Sequence, residues 1–227
     1  MRPRSRGRAL AESDAHGPIV AKVDEYYSGK LAEHGATARG VDWSTAESQE
    51  TRFAQLARLL PADRPYSVTD VGCGYGAFVE HLDGLGHTFT FQGLDVSEAM
   101  VVAGRERWAG REDVAFATTA ERLAPTEYAL ASGIFNVRMD VDQDRWEAYV
   151  QDTLDQLHAL GPKGFAFNML TSWSDPERMR EDLYYPDPAE VFSRCKRRYA
   201  RNVALLHDYG LWEFTILVRT ELDGDRA

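Results

Sequence analysis

The sequence predicts an α/β protein: a seven-stranded, mostly parallel sheet with helices on both faces and an antiparallel C-terminal hairpin. Three observations carry this expectation. Val68 to Ala77 reads V-T-D-V-G-C-G-Y-G-A, an alternating apolar run that enters a glycine cluster, and Phe78, Val79 and Leu82 follow it with helical spacing. Downstream, short apolar runs alternate with longer stretches of helical period, the pattern of parallel strands joined by crossover helices. Near the C-terminus, two apolar runs are separated by Tyr209-Gly210, which calls for a tight antiparallel turn.

Taken in order, residues 1–18 carry Arg2, Arg4, Arg6 and Arg8 without the apolar centre of a secretory signal, and read as a disordered basic tail. A helical cap over 19–61 comes next. Its first helix runs from Ile19 to Lys30 and is ended by Gly29. A glycine-bearing loop spans His34 to Trp43. Ser44 reads as an N-cap, with Glu47 completing a capping box, and the helix from Thr45 to Leu60 is stopped by Pro61. The main domain, 62–227, places strands at Ser67–Val71, Thr88–Leu94, Val114–Ala117, Tyr128–Ala131, Gly164–Met169, Asn202–Asp208 and Leu211–Arg219. Helices fall at Gly76–Leu85, Ser97–Trp108 and Asp144–Leu160, and an inserted helical segment covers about 171–199.

Composition limits the partners. A net charge of −10 over 227 residues argues against nucleic acid, because phosphate binding needs a basic face. Cys73 and Cys195 have neither metal-ligand spacing nor the density of a disulfide framework, so no metal is expected and a reduced, cytoplasmic compartment fits. No apolar run approaches the length of a membrane span. The expected partner is a small molecule, and the expected assembly a monomer or homodimer.

The glycine stretch carries the chemistry. Glycines let a chain turn tightly and let a ligand approach the backbone, while the following helix points unpaired N–H groups at that ligand. Gly72, Gly74 and Ala77 also satisfy a dinucleotide fingerprint, which keeps a nicotinamide oxidoreductase among the readings. Asp70 pulls the other way: two residues before the first glycine, a carboxylate suits an ammonium group better than a pyrophosphate. Asp95 ends the second strand roughly 20 residues past the loop, where an acid grips ribose hydroxyls in either reading.

Asp70-Val71-Gly72-Cys73-Gly74-Tyr75-Gly76, followed by Leu94-Asp95-Val96-Ser97-Glu98-Ala99-Met100, resembles the first two motifs of the class I S-adenosylmethionine (SAM) methyltransferases. The resemblance extends from about Val68 to the C-terminus. It implies a Rossmann-like fold with an N-terminal helical lid, SAM as cofactor and S-adenosylhomocysteine (SAH) as product. It further implies that Gly72, Cys73, Gly74 and Gly76 line the methionine part of SAM, that Asp70 orients the ammonium and that Asp95 holds the ribose. Val96 and Met100 would flank the adenine. The backbone of Thr119 and Ala120 would stand in for the acid that the family often places after the third strand, and Ser132 and Gly133 would close the site after the fourth.

Acceptor residues are read from the same rim. Tyr26, Tyr27 and Trp43 serve equally as lid aromatics or packing residues, as Tyr184 and Tyr185 do as an acceptor wall or core. Asn136 and Asn168 stand where this fold class presents substrate-orienting amides. A hydroxyl acceptor calls for a base, for which His207 and His34 are the candidates. The expected reaction is methyl transfer to an oxygen of a saccharide or natural-product intermediate. Transfer to nitrogen or carbon and a non-catalytic SAM-binding protein are the rivals alongside the oxidoreductase.

Overall fold

The computed structural model describes residues 16–43 and 45–221. Helix α1 (Gly17–His34) begins with Pro18 in its first turn, where the missing N–H costs nothing, and ends at Gly35, whose φ is +66°. Gly29 does not stop it. A glycine inside a helix costs only about 1 kcal/mol, and here the helix runs on for another turn to a true left-handed terminator. A 3₁₀ turn (Ala38–Val41) leads to helix α2 (Ala46–Ala57). The N-cap of α2 is Thr45, whose side chain accepts from the Ser48 N–H at 3.1 Å. Ser44, the N-cap expected from sequence, lies outside the described residues, as do residues 1–15 of the expected basic tail; residues 16–18, expected to belong to that tail, instead form the N-cap and first turn of α1.

The sheet comprises β1 (Tyr66–Val71), β2 (Phe89–Leu94), β3 (Val114–Ala117), β4 (Tyr128–Ala131), β5 (Gly164–Leu170), β6 (Asn202–Leu206) and β7 (Glu213–Arg219), in the order β3-β2-β1-β4-β5-β7-β6. Strands β1 to β5 run parallel, and β7 pairs antiparallel with both β5 and β6. Helices α3 (Ala77–Gly84), α4 (Glu98–Arg107), α5 (Gln143–Leu160) and α6 (Pro188–Arg198) complete the chain. The order reverses between β1 and β4, so the loops leaving the carboxyl ends of these strands form a crevice there.

Both faces of the sheet are covered, which is why β5 reads as a continuous apolar run. Phe165 and Phe167 face a core with Trp146, Leu154 and Leu157 of α5, and Cys195 of α6 joins it; Ala166 between them faces the core of Phe53, Leu56, Phe78 and Leu82, from α2 and α3. The inserted segment contributes a 3₁₀ turn (Pro176–Arg178) and the single helix α6. The C-terminal hairpin forms, but not through a tight turn at Tyr209-Gly210: residues 207–212 make the connection. The register of β7 is fixed by its pairing with β5, from Leu170↔Glu213 to Gly164↔Arg219, so the loop spans whatever distance remains. No helix of the described residues is long and apolar enough to cross a membrane.

Candidate active site

The glycine loop leaves β1 at the switch point in a repeating left-handed pattern, with φ of +73° at Gly72, +55° at Gly74 and +80° at Gly76. A Cβ on Gly72 would also lie 2.2 Å from the Ile134 side chain. Alternate glycines are therefore a steric requirement of this turn. At the end of β2, Asp95 accepts hydrogen bonds from the Gly74 N–H (2.8 Å) and the Ser97 N–H (3.0 Å), which ties the acid to the loop. Burial, partly offset by those two bonds, raises its carboxyl to about 6.

Asp70 lies beside Gly93 of β2 and Leu130 of β4, 4% exposed. Among the described residues no hydrogen-bond donor or cation pairs with its carboxylate, and burial followed by repulsion from Asp95 raises it to about 8. An acid raised in this way holds its proton more tightly folded than unfolded. Its penalty is absent below the ordinary value near 4, grows as pH rises, and is complete above about 8. Asp70→Asn is thus expected to melt higher than the unliganded wild type at pH 8, with the gap closing towards pH 4. Thermal denaturation across that range, with and without SAM, checks this; SAM should stabilise the variant far less.

One pocket gathers these groups around about 980 Å³ of empty space, its mouth included. Gly72, Cys73, Gly74 and Asp70 form its floor, with Asp95, Val96 and Met100 on one side and Thr119 and Ala120 beyond them; Ser132 and Ile134 face them from the end of β4. The roof is the segment before the sheet: Val23 and Tyr27 of α1, Val41, Trp43, and Gln49 and Phe53 of α2. The roof is anchored where the floor is built, because the Ser28 and Ser97 hydroxyls hydrogen-bond at 2.7 Å, one residue from Val96. Tyr26 and Lys30 both bind Asp42, at 2.7 and 2.9 Å, which folds the end of α1 onto the 3₁₀ turn.

Ten of the twelve expected cofactor residues thus line one pocket. Gly76 does not; a Cβ there would collide with Phe116 and Trp108, so its place is in packing α3 against α4 and β3. Nor does Gly133, whose missing side chain makes room for Trp43, 2.1 Å from where a Cβ would stand. Of the acceptor candidates, only Tyr27 and Trp43 reach the pocket. Asn136 and Asn168 are braces for the β4 loop. The Asn136 Oδ1 accepts from the Leu170 N–H (3.1 Å) and the Asn168 Oδ1 from the Gly133 N–H (2.7 Å). Tyr184 is buried in the α5 core, and the Tyr185 hydroxyl accepts from the Arg180 N–H. His207 is exposed just after β6, with β5 and β7 lying between it and β4, and His34 sits beside Glu33 in the last turn of α1. Neither histidine lines the pocket.

Tyr149 of α5, Gln49 and Tyr75 also line it and were not anticipated. Gln49 offered a signal: it lies four residues before Phe53 and seven before Leu56, a polar residue on the buried face of α2. Tyr149 offered none, because its spacing with Trp146 and Val150 is that of a core helix.

A buried carboxylate lacking a cation, an unpaired buried Ser132 hydroxyl and an acid at the end of β2 are poor company for a pyrophosphate. They fit an amino acid joined to a nucleoside. No family model matches the chain. A Mycobacterium tuberculosis (strain ATCC 25618 / H37Rv) protein named "Putative methyltransferase Rv1506c" is 50% identical over 162 residues, 71% of this chain and 98% of that one. The fold is shared with the DhpI–SAH complex (17% identity, TM-score 0.59, 89% of this chain and 97% of that one). It is also shared with magnesium protoporphyrin IX methyltransferase from Synechocystis PCC 6803 with bound SAM (14%, 0.55, 92% and 99%). Fold and sequence together define an α/β enzyme of the methyltransferase class. The chain belongs to the methyltransferases and has the class I fold, and the oxidoreductase reading falls away.

Proposed function

We propose that the chain methylates an oxygen of a small-molecule acceptor, such as a saccharide or natural-product intermediate. The observation that carries this reading is the roof: the chain's own α1, 3₁₀ turn and α2 close over the pocket, which favours an acceptor small enough to enter beneath Tyr27 and Trp43. In this reading Asp95 holds the ribose hydroxyls, Asp70 pairs with the ammonium, and the loop at Gly72, Cys73 and Gly74 carries the methionine part. Val96 and Met100 flank the adenine. Thr119 and Ala120 offer backbone groups to its edge; Glu121, exposed and outside the pocket, does not serve. The Ser132 hydroxyl, buried and unpaired at the pocket, is available to bind the cofactor.

SAM supplies an electrophilic methyl on a sulfonium that departs as a neutral thioether. The protein's part is alignment and exclusion of water. No histidine lines the pocket among the described residues, which favours, within these acceptors, an oxygen that arrives already ionised, the carboxylate of a sugar acid or an acidic phenol of a natural-product intermediate, over an unactivated sugar hydroxyl.

Incubation with methyl-labelled SAM and fractions of metabolite extract, transfer RNA and protein tests the reading. Label is expected in a small molecule, released as methanol by mild alkali if the acceptor is a carboxylate. Label confined to RNA or protein overturns it. A methyl ether resists alkali but gives up its label as methyl iodide in hot hydriodic acid, so label that survives ether cleavage points to nitrogen or carbon instead.

A further inference from the structure

Outside the cofactor-contacting residues, the most heavily built feature near the pocket is an ion pair. Arg52 of α2 and Glu213, the first residue of β7, are 8% and 2% exposed. They meet in a two-pronged bridge, Nε to Oε2 and Nη2 to Oε1, both 2.6 Å, while Nη1 donates to the Ser48 carbonyl at 2.7 Å. The guanidinium lies over the Trp43 ring, 4.0 Å from its centroid. The six-membered edge of the same indole occupies the space that a side chain at position 133 would fill. Gly133 is itself held by Asn168.

We propose that Arg52 and Glu213 form a latch whose work is to hold Trp43 as the fixed wall of the closed pocket, and through it to set how tightly the cofactor is retained. The Trp43 backbone is tied to the 3₁₀ turn, its N–H donating to the Ala38 carbonyl at 2.8 Å, but that bond leaves the side chain free to turn. The ring is placed by a cation on its face and by a glycine gap at its edge. Guanidinium over indole is a favourable pairing, more so when desolvated. Arginine suits the task because its planar fork binds a carboxylate with two parallel bonds while its face stays free to stack. Glu213 is anchored in turn, since β7 is zipped to β5. The latch therefore connects the roof segment to the sheet directly, through residues separate from the Ser28–Ser97 contact. Arg52 and Glu213 do not line the pocket, so they are positioning residues that act through Trp43.

The test is a cycle read by SAH binding. Replacing the bridge as a unit (Arg52→Met with Glu213→Leu) avoids stranding either charge in the interior, and thermal melting confirms that the fold is kept. Trp43→Ala removes the wall itself. Each change is expected to weaken SAH affinity about tenfold by calorimetry and to speed SAH dissociation in stopped-flow by a similar factor. Combining all three substitutions should cost no more than Trp43→Ala alone, because bridge and indole are one device. Wild-type affinity in the bridge variant overturns the proposal, and so does a combined loss near 100-fold, which would mean that the bridge and Trp43 act separately. The cycle needs no acceptor. Failure to find a small-molecule acceptor would sink the proposed reaction and leave the latch standing.

Discussion

Asp95→Ala is expected to lower the affinity for SAM and SAH at least 100-fold in a calorimetric titration, the largest effect of any single substitution on cofactor binding. In the proposed role its carboxylate takes two ribose hydroxyls. A hydrogen bond to a charged group contributes about 1.5–3 kcal/mol, so losing two removes roughly 3–6 kcal/mol, where about 2.7 kcal/mol already corresponds to 100-fold. The same substitution frees the Gly74 and Ser97 N–H groups, both at the pocket, from an acceptor that also fixes the shape of the loop. Asp95→Asn retains one neutral acceptor oxygen and should lose less, about tenfold. Because burial raises the Asp95 carboxyl to about 6, wild-type affinity should also fall as pH drops through 6 and the acid becomes protonated. SAH affinity that survives in Asp95→Ala would remove Asp95 from the ribose and undo the pairing of the two motifs.

What the sequence could and could not reveal follows from the range of the interactions involved. Asp70, the glycine loop and Asp95 lie at strand ends defined by local alternation, and the loop's positive φ angles admit little besides glycine. Such positions declare themselves in a short window. The seven strands were legible for the same reason, since a buried parallel sheet requires apolar runs of strand length between helical ones. The roof was legible only in part. Tyr27 and Trp43 could be named but not placed, because a Trp in a loop looks alike whether it packs in a core or is held by a distant Arg–Glu pair. Asn136 and Asn168 do stand at the rim, but each spends its side-chain oxygen on a backbone N–H of the neighbouring loop or strand, a choice set by tertiary contact. His207 was drawn to the rim by strand counting. With β7 lying between β6 and β5, it stands too far along the sheet edge to face the crevice.

The second large effect concerns stability. Arg52→Ala is expected to destabilise the protein by about 3–5 kcal/mol, because it leaves the Glu213 carboxylate, 2% exposed on a strand paired on both sides, without its counter-ion. For a chain of this size that corresponds to a melting temperature lower by roughly 10 °C. Glu213→Ala should cost less. The guanidinium it strands keeps its bond to the Ser48 carbonyl and its place over Trp43, and a long side chain can move its charged end towards water. Replacing both partners by apolar residues of similar volume should be closer to neutral than either single change, since no charge is then left in the interior. Denaturant unfolding of the three variants decides the point. A buried bridge that merely stabilised the fold would make the double replacement the worst of the three. A bridge retained for where it puts Trp43 makes it the mildest for stability, while SAH dissociation is still accelerated. That separation of stability from ligand retention is what marks a positioning pair.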